Sequence, residues 1–112
     1  MPTLNMNLKQ NYAIDTRDAR VVENLARLIE KIAPSCGLHV PDRIIGSTSE
    51  IPRTALFDYR LMSGGTNVGR FYYKLTNGSF QGVLDLRSMP FNTHNRLMEQ
   101  LTKYRRILRP IN

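Results

Sequence analysis

Arg70, Tyr72 and Lys74 stand at alternate positions and set an aromatic ring between two cations. On one face of a β-strand this arrangement lets a nucleobase stack on the ring while phosphates are neutralised on either side. The plainer alternative is a solvent-facing strand, with Arg70 paired to Asp85 across a hairpin and Tyr72 packed on Val83. A second basic group lies near the C-terminus. Taken as one helix, that stretch brings Arg96, Lys103 and Arg106 to one face with Arg105 and Arg109 flanking it, a stripe able to follow a phosphate backbone. The alternative there is ordinary helix-end cations, with Glu99 pairing to Lys103. Ser63-Gly-Gly-Thr-Asn-Val-Gly69, flanked by Arg60 and Arg70, offers backbone N–H groups to an anion. It lacks the Lys-Ser/Thr ending of a P-loop and opens no helix, so a hairpin loop is the better reading. These patterns nominate Arg60, Arg70, Tyr72, Lys74, Arg87, Arg96, Lys103, Arg105, Arg106 and Arg109 as nucleic-acid-binding residues.

Enzyme chemistry finds no comparable footing. His39, His94 and the single thiol Cys36 show neither metal-ligand nor triad spacing, and they read as structural or incidental. No catalytic residue, metal or cofactor is expected.

The charge balance puts polyanions first among partners. Twelve Arg and four Lys oppose nine acids, a formal net charge of +7. Residues 1–52 carry six basic and six acidic residues and are neutral; residues 53–112 carry ten basic residues and three acids, the whole excess. Arg outnumbers Lys, which suits bidentate phosphate contacts and stacking on bases. One cysteine allows no internal disulfide and implies a reducing, cytoplasmic setting. No leader pattern and no apolar run of membrane length is present, so no membrane partner is expected. An acidic protein partner and a homodimer are left open.

The elements that must position these residues follow from periodicity. Asp15-Thr16 as N-cap, then Val21, Val22, Leu25, Leu28, Ile29 and Ile32, predict a helix from Thr16 to Ala33 stopped by Pro34-Ser-Cys-Gly37. Its charged side, including Glu23 four residues before Arg27, reads as solvated. Leu4 to Ile14 alternates weakly, as an edge strand or an arm. Pro34, Gly37, Pro41, Gly46 and Pro52 mark an irregular connection in which Arg43-Ile44-Ile45 pairs briefly at most.

Thr54 to Met62 and Gly69 to Thr76 alternate strictly, and Asn77-Gly78 is a strong two-residue hairpin signal. A three-stranded antiparallel meander follows, with Phe71, Tyr73, Leu75, Phe80, Leu84 and Leu86 on its apolar face. Arg70, Tyr72, Lys74, Thr76, Gln81, Asp85 and Arg87 take the polar face. A last helix, capped by Asn92 or Thr93, carries Leu97, Met98, Leu101, Tyr104 and Leu108 to Pro110. The expected architecture is α+β: helix, three-stranded antiparallel meander, helix, with both helices on one face and an extra N-terminal strand left open. Residues 1–15 form the arm or edge strand, and residues 16–112 one domain of a length suited to a single core.

The order helix, three strands, helix over residues 16–109 is similar to the double-stranded RNA-binding domain, with Asn92-Thr-His-Asn95 where that family carries lysines. Asp58-Tyr-Arg-Leu61, Gly69-Arg-Phe-Tyr-Tyr73, Asn77-Gly78 and Val83-Leu-Asp-Leu-Arg87 look like the strand and hairpin core of RelE-type ribosome-dependent ribonuclease toxins. That resemblance implies RNA cleavage. The residues themselves point to a small basic nucleic-acid-binding protein using its C-terminal half, RNA or DNA undecided. The alternatives are the RelE-type toxin or a viral or plasmid-type inhibitor covering a surface of a host protein.

Overall fold

The turn at Asn77-Gly78 organises the sheet in the computed structural model, which describes residues 10–41, 43–47 and 54–111. Both turn residues take the left-handed conformation, Asn77 at φ 48° and Gly78 at φ 89°, and the twist of such a turn matches that of the strands it joins. Strands β4 (Thr66–Thr76) and β5 (Ser79–Asp85) therefore pair in the expected register, from Thr76 opposite Ser79 to Arg70 opposite Asp85. Strand β3 (Thr54–Ser63) runs back along β4 and completes the meander.

The sheet is larger than the three strands expected. Six antiparallel strands lie in the order β2-β3-β4-β5-β1-β6, where β1 is Asn11–Ile14, β2 Arg43–Ser47 and β6 Leu108–Pro110. The expected N-terminal strand exists in Asn11–Ile14 and sits inside the sheet, between β5 and β6, instead of at an edge. The earlier part of that expected strand, Leu4 to Lys9, lies outside the described residues. Arg43-Ile44-Ile45 pairs along a full five-residue strand opposite Ala55 to Tyr59. The expected seven-residue glycine loop is shorter, because β3 and β4 stay paired out to Ser63 and Thr66 and leave only Gly64-Gly65 as the turn.

Helix α1 (Ala19–Ile32) starts three residues later than expected. Asp18, and not Asp15 or Thr16, is its N-cap: its carboxylate accepts the Arg20 N–H at 3.0 Å, while the Thr16 hydroxyl accepts the Asp18 N–H. A 3₁₀ turn over Ala33–Cys36 and Gly37 at φ 76° end it where the sequence places the stop. Helix α2 (Phe91–Gln100) follows Pro90 with no side-chain cap, so neither Asn92 nor Thr93 serves as one. It also ends early. The stripe Leu97, Met98, Leu101, Leu108 is buried as expected, but Thr102–Tyr104 forms a 3₁₀ turn and Leu108 belongs to β6.

Both helices cover the face carrying Phe57, Tyr59, Phe71, Tyr73 and Leu84. Tyr73 donates to the Thr16 carbonyl ahead of α1 at 2.7 Å, and His94 of α2 bonds to Tyr12 of β1. Gly82 lies under the Tyr73 ring. A Cβ there would stand 2.7 Å from Tyr73 Cδ1 and 2.9 Å from Ile14 Cβ, so the ring fills the space a side chain would occupy. Among the described residues no helix is long and apolar enough to cross a membrane.

Candidate nucleic-acid interface

Strand alternation and register assemble the open sheet face row by row. Asp58, Tyr72, Val83, Ala13 and Arg109 are successive cross-strand neighbours from β3 to β6. Arg60, Arg70, Asp85 and Asn11 form the adjoining row, and Leu56, Lys74 and Gln81 a third. Arg60, Arg70, Tyr72 and Lys74 thus share one face as the sequence implies, and Arg87 reaches that face by bonding Asp85. Arg109 joins them through β6, whereas a continuous C-terminal helix would have carried it with Arg106.

Most of this face is already neutralised. Arg70 donates from Nε and Nη2 to the two oxygens of Asp58 at 3.0 and 2.8 Å, so its partner is Asp58 and not Asp85. The same guanidinium lies 4.9 Å from the Tyr72 ring centre and covers part of the surface a base would stack on. Arg87 holds Asp85 in the same two-bond manner, and that bonding keeps the Asp85 carboxyl below the usual carboxylate range. Arg109 stands 3.8 Å from Asp15. Lys74 is exposed and has no ion pair among the described residues.

The C-terminal cations are arranged differently. Arg96 lies on α2, Lys103 in the 3₁₀ turn, and Arg105 and Arg106 in the turn that leads to β6. They do not form one helical stripe, because the helix ends at Gln100. All four are exposed, and no carboxylate of the described residues lies within 4 Å of them. Glu99 does not pair with Lys103. The ammonium of Lys103 lies 5.9 Å from the Tyr104 ring centre.

Beside this turn is a recess that sequence reasoning missed. Its floor is Tyr12 of β1 against His94 of α2, both largely buried. The Tyr12 hydroxyl and His94 Nε2 are 2.8 Å apart, and His94 Nδ1 is 3.0 Å from Asn95 Oδ1. An amide oxygen only accepts, so Nδ1 carries the proton and Nε2 accepts from the tyrosine. The rings of Tyr12, His94 and Phe91 stack in series, with centres 5.9 and 6.2 Å apart. Burial lowers the His94 pKa, partly offset by its bond to Asn95. Burial raises that of Tyr12, against which the positive charge of Arg105 acts. Glu99, Thr102 and Arg105 form the rim.

Gln10 fixes α2 over this floor. Its buried amide nitrogen donates to the carbonyls of Leu86 and Met89 at 2.7 and 2.9 Å, tying the link between β5 and α2 to the start of β1. Nothing local announces the Tyr12–His94 pair, since 82 residues separate its members. His39 is exposed and Cys36 buried, and no group of three potential metal ligands occurs among the described residues. No protein-family model, curated protein or solved structure matches the chain.

Proposed function

We propose that this is a small nucleic-acid-binding protein that grips phosphate chiefly with Arg96, Lys103, Arg105 and Arg106. One observation carries the reading: these four exposed cations hold no carboxylate among the described residues. Their hydrogen-bond donors exchange water for phosphate oxygens without breaking an ion pair, and binding releases counterions from the nucleic acid. Lys74 and Tyr72 on the open sheet face, with Arg60, Arg70, Arg87 and Arg109 around them, form a secondary surface.

Four phosphate contacts correspond to a log–log salt slope of about −3.6 on duplex DNA and about −2.8 on single strands. Fluorescence anisotropy with single-stranded and duplex RNA and DNA, between about 50 and 200 mM salt, measures it. Absence of binding at low salt sinks the reading and leaves an acidic protein surface as the partner.

A further inference from the structure

The recess between β1 and the end of α2 combines a rigid, uncharged floor with two opposite charges on its rim that do not meet. Glu99 and Arg105 both line it, yet they form no ion pair within 4 Å, and neither bonds another described side chain. The backbone between them is tied down. Thr102 donates its hydroxyl to the Glu99 carbonyl at 2.6 Å, and the Arg105 N–H reaches the Thr102 carbonyl at 3.2 Å. Asn95 lies one helical turn before Glu99, on the same side of α2. Its amide oxygen is taken by His94, which leaves the NH₂ group as the free donor beside the recess.

A ligand that satisfies this rim needs an acceptor for Asn95, two neighbouring donors for the Glu99 carboxylate, and an anion for Arg105. Guanine has that sequence along its Watson–Crick edge: the O6 acceptor, then the N1–H and N2–H₂ donors. Adenine and cytosine each turn a donor toward the Asn95 amide and offer the carboxylate an acceptor. Uracil places O2 against it. We infer that this recess is a single-nucleotide pocket selective for guanine, with Asn95 and Glu99 reading the base edge and Arg105 holding a phosphate of the same strand. The inference rests on the nucleic-acid reading above and adds base selectivity to it. Because the Tyr12–His94 pair uses both imidazole nitrogens internally, the floor positions Asn95 and makes no demand on the base.

The test uses four short labelled oligouridylate strands, with the central uridine kept or replaced by G, A or C, measured by anisotropy at one low salt concentration. The G strand is expected to bind at least 5-fold tighter than the others, the lower end of what one bidentate base contact discriminates. Glu99→Gln should collapse that ratio, while Glu23→Gln on the far face of α1 preserves it. Titration with 5′-GMP against 5′-AMP, followed by amide shifts at Asn95, Glu99 and Arg105, gives a readout independent of the strand. Equal affinity for all four strands, or a G preference that survives Glu99→Gln, overturns the pocket and leaves the phosphate-gripping role standing. No binding of any strand or nucleotide overturns both.

Discussion

On the open sheet face Arg70 and Arg87 each hold a carboxylate through two hydrogen bonds of 2.8 to 3.0 Å, whereas Arg105 and Arg106, in the turn after α2, hold none. The two regions look alike in sequence, both rich in arginine with an aromatic among them, and they differ in what their cations must release before touching phosphate. An exposed ion pair is worth about 0.2–1 kcal/mol, so Arg70 and Arg87 are attenuated as phosphate ligands without being disabled. The local sum decides more: Arg70, Arg87, Asp58 and Asp85 together are neutral. A count of cations alone overstates the sheet face, because it leaves out the two carboxylates that its arginines hold.

The contrast requires the turn after α2 to be a built surface. Leu101, fully buried at the end of α2, anchors it. Leu101→Ala should cost about 2–5 kcal/mol in urea unfolding, as other buried leucine truncations do; a loss under about 1 kcal/mol would show the turn to be loosely attached. Arg105→Glu with Arg106→Glu should make the duplex salt slope shallower by roughly 1.8, while Arg70→Gln with Arg87→Gln changes it far less. The reverse ranking would move the interface to the sheet. Asp58→Asn sharpens the contrast from the other side: freeing Arg70 should lower stability by no more than about 1 kcal/mol and raise nucleic-acid affinity in the same anisotropy assay.

The smallest effect is a pH dependence confined to the recess. Burial holds His94 below the ordinary imidazole value of 6.5, so the unfolded chain binds more protons below that value than the native one does. The stability contribution is therefore complete above about pH 6.5 and lost as pH falls toward the folded value. Urea unfolding at pH 7.5 and at pH 5 should show a larger drop for the wild type than for His94→Gln.

What the sequence revealed depended on how local the cause was. The β4–β5 register was legible to the residue because Asn77-Gly78 supplies the left-handed turn, and strict alternation then assigns the faces. The end of α2 was not legible. Leu101, Tyr104 and Leu108 continue a helical period, and no Gly or Pro interrupts it before Pro110. The chain leaves the helix because the Thr102 hydroxyl bonds the Glu99 carbonyl and because Leu108 is needed opposite Ile14. That second cause reaches across 94 positions, beyond any window of periodicity. A comparable separation, 82 positions, hid the Tyr12–His94 floor, while the pairing of Arg70 with Asp58 was hidden because carboxylates on both neighbouring strands, Asp58 on β3 and Asp85 on β5, compete for one guanidinium.

Strand β6 has a consequence for how the protein keeps company. It forms one rim of the sheet, it is only three residues long, and it contains Arg109 and Pro110, a charge and a residue without an N–H. A visiting strand finds little to zip onto there, which guards the sheet against edge-to-edge association on that side. Without β6 the rim becomes β1, whose Tyr12-Ala13-Ile14 run offers unblocked donors and acceptors beside apolar side chains. Strand β6 therefore acts as a selvedge, and losing it should turn a well-behaved solution into one that thickens with concentration.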